Sequence, residues 1–144
     1  MRAVMYHYVR GESSRPPSGY YHLDIEDFCA QLDYLQREHG VISRETFLDC
    51  VTGDAPPPTD GVVLTFDDGL GDHHEWVLPE IRSRGLWGVF FVSTAPLVYG
   101  RRLPVHRIHT LLSEYRGTEL LNDLQDVLQR EGIGERRNGE NMYG

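Results

Sequence analysis

The chain has 144 residues, 40% of them hydrophobic and 25% charged, which describes a globular protein of ordinary domain size and excludes a disordered one. Its 22 acidic against 14 basic residues leave a formal net charge of -8, which argues against nucleic acid as a partner and, more weakly, against anionic membrane surfaces. No apolar run approaches a membrane span and no signal peptide precedes the first strand-like run, so the expected compartment is the cytoplasm.

The apolar and aromatic residues 3–9 predict a first strand, with His7 near its end. Residues 10–23, rich in Gly, Pro and Ser, predict a long loop of the kind that carries function. Asp24 predicts a helix N-cap, followed by Ile25, Phe28, Cys29, Leu32 and Leu35 at spacings of three and four, so that one face is apolar, and Gly40 is the stop. Val41-Ile42 reads as a very short second strand. Ser43 caps a helix holding Phe47, Leu48 and Val51, and residues 53–60 form a surface connection. Cys29 and Cys50 fall on the apolar sides of these helices and are expected as small core residues, not as a disulfide.

Val62-Val63-Leu64-Thr65-Phe66-Asp67-Asp68-Gly69 follows: a buried-strand pattern running into two adjacent carboxylates and a glycine. In parallel α/β folds the C-terminal rim of the sheet is where sites are built. A helix over residues 74–84 comes next, with Pro79 in its first turn and Gly85 closing it. A fourth strand is expected over 86–92, with Phe90-Phe91-Val92 as its most buried part. Pro104 opens a helix with Val105, Ile108, Leu111 and Leu112; Thr118 caps another with Leu120, Leu121, Leu124, Val127 and Leu128 on one face. Residues 132–144 are expected as a flexible tail. The order β-α-β-α-β-α-β-α-α argues for a parallel sheet covered by helices, with too few strands for an eight-fold barrel.

Two like charges as close as Asp67 and Asp68 are unfavourable unless a cation or hydrogen-bond donors offset them. A generic Asp-Asp-Gly more often forms a turn or caps a helix, so an unrelated small α/β protein with such a turn is one alternative. A phosphatase of the haloacid type needs acids two residues apart, and Phe66 occupies the place of the first.

Thr65-Phe66-Asp67-Asp68-Gly69 resembles the first motif of the polysaccharide deacetylases (carbohydrate esterase family four, the NodB-homology domain). Met5-Tyr6-His7-Tyr8-Val9, Phe28 through Leu35, Val77-Leu78-Pro79 and Gly85 with Phe90-Phe91-Val92 are similar to their surroundings of that motif, so the resemblance covers roughly residues 1 to 95. It implies parallel β/α units of a distorted (β/α)7 barrel, with residues 1–144 as one truncated N-terminal part and 96–131 as a helical insertion. It also implies a hydrolase of non-peptide carbon–nitrogen bonds that removes N-acetyl, or O-acetyl, groups from a saccharide or sugar precursor with a divalent metal, zinc above all. Carried over by motif position, Asp67 is the general base and Asp68 a metal ligand. The family's second motif, His-(Ser/Thr)-x-x-His, is not found: His106-Arg107-Ile108-His109 has its histidines three apart, and His73-His74 are neighbours that cannot easily aim at one ion. The expectation is therefore one half of a site, with weak metal binding and little hydrolysis by these residues alone. The competing reading is a protein of the same fold that binds a saccharide or partner without hydrolysis.

Overall fold

The computed structural model describes residues 1–11 and 21–133. Most of the expected loop over 10–23 and of the expected tail over 132–144 lies outside the described residues. Contacts divide the described chain into two compact units, residues 1–11 with 21–101, and residues 102–133.

The first unit is built on a parallel three-stranded sheet of β1 (Arg2–Tyr6), β4 (Val62–Phe66) and β5 (Val89–Phe90), in the order β1-β4-β5. Arg2 pairs with Val62 and Tyr6 with Phe66 along β1 and β4, while Thr65 and Phe66 pair with Val89 and Phe90. β4 is central, with both its edges paired, and both its faces are covered. Val62, Val63, Leu64 and Phe66 are all buried, as an uninterrupted apolar run in a parallel sheet requires. A second, two-stranded parallel sheet joins β2 (Val9–Arg10) to β3 (Leu23–Asp24). The single strand expected over residues 3–9 is thus two strands. His7 and Tyr8 form the break between them, because Val9 leaves β4 and pairs with Leu23 instead.

Asp24 is the N-cap of α1 (Ile25–Glu38), whose Phe28, Leu32 and Leu35 are buried. Phe28 meets Tyr6 edge-on at 5.0 Å and Phe66 at 6.2 Å, so α1 is seated on the ends of both β1 and β4. Gly40 ends the helix in the left-handed region, with its N–H on the Leu35 carbonyl. Val41 makes an isolated bridge to Val62 in place of a strand. α2 (Arg44–Thr52) is capped by the Ser43 hydroxyl, which accepts from the Thr46 N–H at 3.1 Å. It buries no residue, and this corrects the expectation for Cys50; Cys29 on α1 is also only half-buried, and both thiols are free.

After β4 the chain enters a π-helical turn, His73–Val77, continuous with α3 (Leu78–Ser83), where a plain α-helix is expected from the sequence. β5 is shorter than the seven residues expected, and Phe91 and Val92 are more than half exposed, against their expected burial. The ladder explains this: β5 is an edge strand, and after Phe91 donates to the Phe66 carbonyl its pairing ends. A short α4 (Ala95–Tyr99) closes the unit.

The second unit holds α5 (Pro104–Glu114), with Pro104 at its start, and α6 (Gly117–Arg130), whose N-terminus is fixed by Arg116 N–H donating to the Glu119 carboxylate. Neither helix has a buried residue, and the apolar faces expected from the spacing are partly exposed. Among the described residues no helix is long and apolar enough to cross a membrane.

Candidate active site

The end of β4 sets the geometry of the acid pair. Asp67 N–H donates to the Tyr6 carbonyl at 3.0 Å, one step beyond the last paired residues of β1 and β4, and Phe91 N–H donates to the Phe66 carbonyl at 2.8 Å. The backbone is therefore held from both sides up to Asp67 and then turns. Asp68 has φ +75°, and among the described residues it is the one non-glycine residue with positive φ. Aspartate is among the few residues that enter this region at modest cost. Gly69 follows at φ +63°, and a Cβ there would stand 2.8 Å from Val92 Cγ1. The glycine is thus required twice, by its conformation and by the approach of β5's continuation.

At these two left-handed residues the chain leaves the strand, along which neighbouring side chains alternate between faces. The Asp67 carboxylate lies 3.9 Å from His7 Nε2, with both side chains partly exposed. That is too long for a hydrogen bond but close enough for an imidazolium to attract the acid. His7 also lines an open groove of about 410 Å³ beside β1, together with Met5, Tyr8, Tyr21, His22 and Gln31.

The π-helical turn lies behind the acid turn. His73 is buried, 3% exposed, with its ring edge-on to Phe66 at 5.5 Å and Phe90 at 5.9 Å. Its Nε2 is 2.8 Å from the His7 carbonyl oxygen; a carbonyl only accepts, so Nε2 carries the proton. Burial pushes the His73 imidazole below the usual histidine range, opposed by the bond to His7 and by the negative charges of Asp72 and Asp68. Nδ1 is then a bare acceptor, buried and without a hydrogen-bond partner among the described residues. His74, the next residue, is exposed. Asp72 receives Arg10 Nε at 2.6 Å in a largely buried pair that ties β2 to the start of the turn.

The structure therefore brings His7 to Asp67 and sets Asp68 beside it. His106 and His109 belong to α5 of the second unit, where both are half-buried. Among the described residues no three His, Cys, Asp or Glu side chains gather closely enough to hold a metal ion. The donor set of the described residues does not by itself fit a divalent metal, which takes at least three protein ligands in hydrolytic zinc sites. In the sequence His73 reads only as a neighbour of His74 that cannot easily aim at one ion with it, and Arg10 and Asp72 are not singled out. Their contacts span 66 and 62 residues, and no local pattern encodes them.

No protein-family model matches the chain, and no curated protein matches it in sequence. Solved structures do. A de-N-acetylase from Aggregatibacter actinomycetemcomitans is similar with a TM-score of 0.57 at 20% identity over 71% of this chain and 41% of the other. The deacetylase PplD from Streptococcus pyogenes is similar with a TM-score of 0.51 at 18% identity, over 75% of this chain and 50% of that one. IcaB from Ammonifex degensii gives 0.52 at 27% identity, over 71% and 42%. The chain spans half or less of the length of these structures. It has the polysaccharide deacetylase fold, in the part of it that an N-terminal portion supplies.

Proposed function

We propose that the chain is part of a hydrolase that removes N-acetyl, or O-acetyl, groups from a saccharide, with Asp67 as the general base. The observation that carries this is the acid pair standing at the C-terminal end of the central parallel strand, in a backbone similar to that of two deacetylases. Hydrolysis of an amide or ester needs a group that accepts the proton of the attacking water within hydrogen-bond reach. Asp67 is partly exposed, tethered through its own N–H to β1, and faced by His7. The groove beside β1, with the rings of Tyr8 and Tyr21 and the polar ends of His22 and Gln31, offers the mix of flat apolar faces and hydrogen-bonding groups that a sugar ring requires.

Asp68 is proposed as one ligand of a divalent metal, zinc first. Such an ion polarises the scissile carbonyl and acidifies bound water. Among the described residues no group of three His, Cys, Asp or Glu side chains completes such a site, and no step of the proton transfer above is routed through the ion.

Acetate release from an N-acetylated amino-sugar oligomer, measured on the longest natural polypeptide that contains these residues, tests the reading. Asp67→Asn is expected to lower the rate on the order of 10²- to 10⁴-fold with the fold intact. Unchanged release would remove Asp67 from the reaction.

A further inference from the structure

His7 and Tyr8 stand between β1 and β2; the Tyr8 carbonyl accepts the Leu23 N–H at 2.9 Å, and the His7 imidazole lies 3.9 Å from the carboxylate of the proposed base. Three ties from the π-helical turn fix this stretch from behind. His73 Nε2 donates to the His7 carbonyl at 2.8 Å. Arg10 and Asp72 form a largely buried pair at 2.6 Å. Gly11 lies against the Trp76 ring so closely that a Cβ on it would be 2.5 Å from the indole. The first of these ends at the residue that matters. A hydrogen bond to a carbonyl orients the peptide plane, and through it the Cα–Cβ direction of the same residue.

The choice of histidine has a physical logic. Leucine or phenylalanine would fill the space between Phe66 and Phe90 at no desolvation cost, but would leave the His7 carbonyl without its donor. A lysine would donate but would bring a full charge into a pocket 3% exposed. A neutral imidazole donates without that charge, and its second nitrogen is left buried and without a hydrogen-bond partner, a cost a core residue would avoid. A π-helical insertion is what places it. Such insertions occur often at functional sites, and here His73 faces inward while His74 faces solvent.

We propose that His73 is a positioning residue, holding the His7 carbonyl so that the His7 imidazole stands against Asp67. That Asp67 is a proton acceptor rests on the function proposed above; the positional relation among the three residues does not. The test uses the His7 Cε1–H resonance of this chain at one fixed pH, in Asp67→Asn, His73→Leu and His73→Gln, each alone and the latter two combined with Asp67→Asn. Asp67→Asn is expected to shift the resonance in the parent. His73→Leu is expected to abolish that response, and His73→Gln, which keeps an N–H donor, to restore it. A response to Asp67→Asn that persists in folded His73→Leu overturns the proposal. If His73→Leu does not fold, loss of the response in folded His73→Gln overturns it instead. In the longest natural polypeptide containing these residues, His73→Leu is expected to lower kcat on the order of 10²-fold with KM unchanged, and His73→Gln to recover most of it. Absence of acetate release in the parent would end the functional reading while leaving the resonance result to decide the positional one.

Discussion

At the residue scale, the turn that carries the acids makes the most specific demands. Asp68 at φ +75° should tolerate Asn, which enters the left-handed region nearly as readily, whereas Asp68→Ala is expected to lose roughly 1 kcal/mol of stability in denaturant unfolding. Gly69→Ala should cost more than about 1 kcal/mol, because a left-handed φ and a contact with Val92 are both against it. His73 adds a pH dependence. Its folded-state pKa lies below its unfolded value, so the unfolded chain binds the extra proton first. The stability this residue contributes is full above the unfolded value of about 6.5 and is lost as pH falls below it. Thermal midpoints measured from pH 8 to 5 should decline more steeply in the parent than in His73→Gln. The motif Thr65-Phe66-Asp67-Asp68-Gly69 was legible in the sequence because it is contiguous and abuts a strand pattern. The ties of His73 and Arg10 were not, since each joins residues more than sixty positions apart.

At the scale of elements, burial separates two helices that look alike in sequence. α1 and α2 both carry apolar residues at helical spacing, but Phe28 and Leu32 of α1 are fully buried while Leu48 and Val51 of α2 are exposed. Phe28→Ala and Leu32→Ala are therefore expected to cost about 2–5 kcal/mol, and Leu48→Ala or Val51→Ala within about 0.5 kcal/mol, by denaturant titration. α1 and α3 are joined on their outer sides by Arg84, which binds both Asp33 and Glu80; this pairing holds the Glu80 carboxyl below its usual range. Helix existence and face followed from periodicity, and α1 was read almost to the residue. Which face would find a partner did not follow, because that depends on the sheet. The same reason lies behind β5: a run as apolar as Phe90-Phe91-Val92 reads as buried, yet Phe90 stacks on Phe66 at 4.7 Å while the two residues after it pass beyond the ladder and are more than half exposed.

At the scale of the whole molecule, the first unit places two acids at the C-terminal end of the middle strand of a parallel sheet of three. The solved deacetylases it resembles are at least twice the matched length, and the described residues contain one proposed metal ligand beside the proposed base. For these 144 residues alone, equilibrium dialysis against zinc is expected to leave far less than one ion per chain. Stoichiometric zinc that Asp68→Ala removes would contradict the proposal that these 144 residues hold only part of the metal site.

The most direct test of Asp67 as the base is acetate release from an N-acetylated amino-sugar oligomer by the longest natural polypeptide containing these residues, parent against Asp67→Asn. The expected result is zinc-supported release in the parent and a fall on the order of 10²-fold or more in the variant, with an unchanged thermal midpoint. Equal release by both proteins, or none by the parent at saturating zinc, would contradict it.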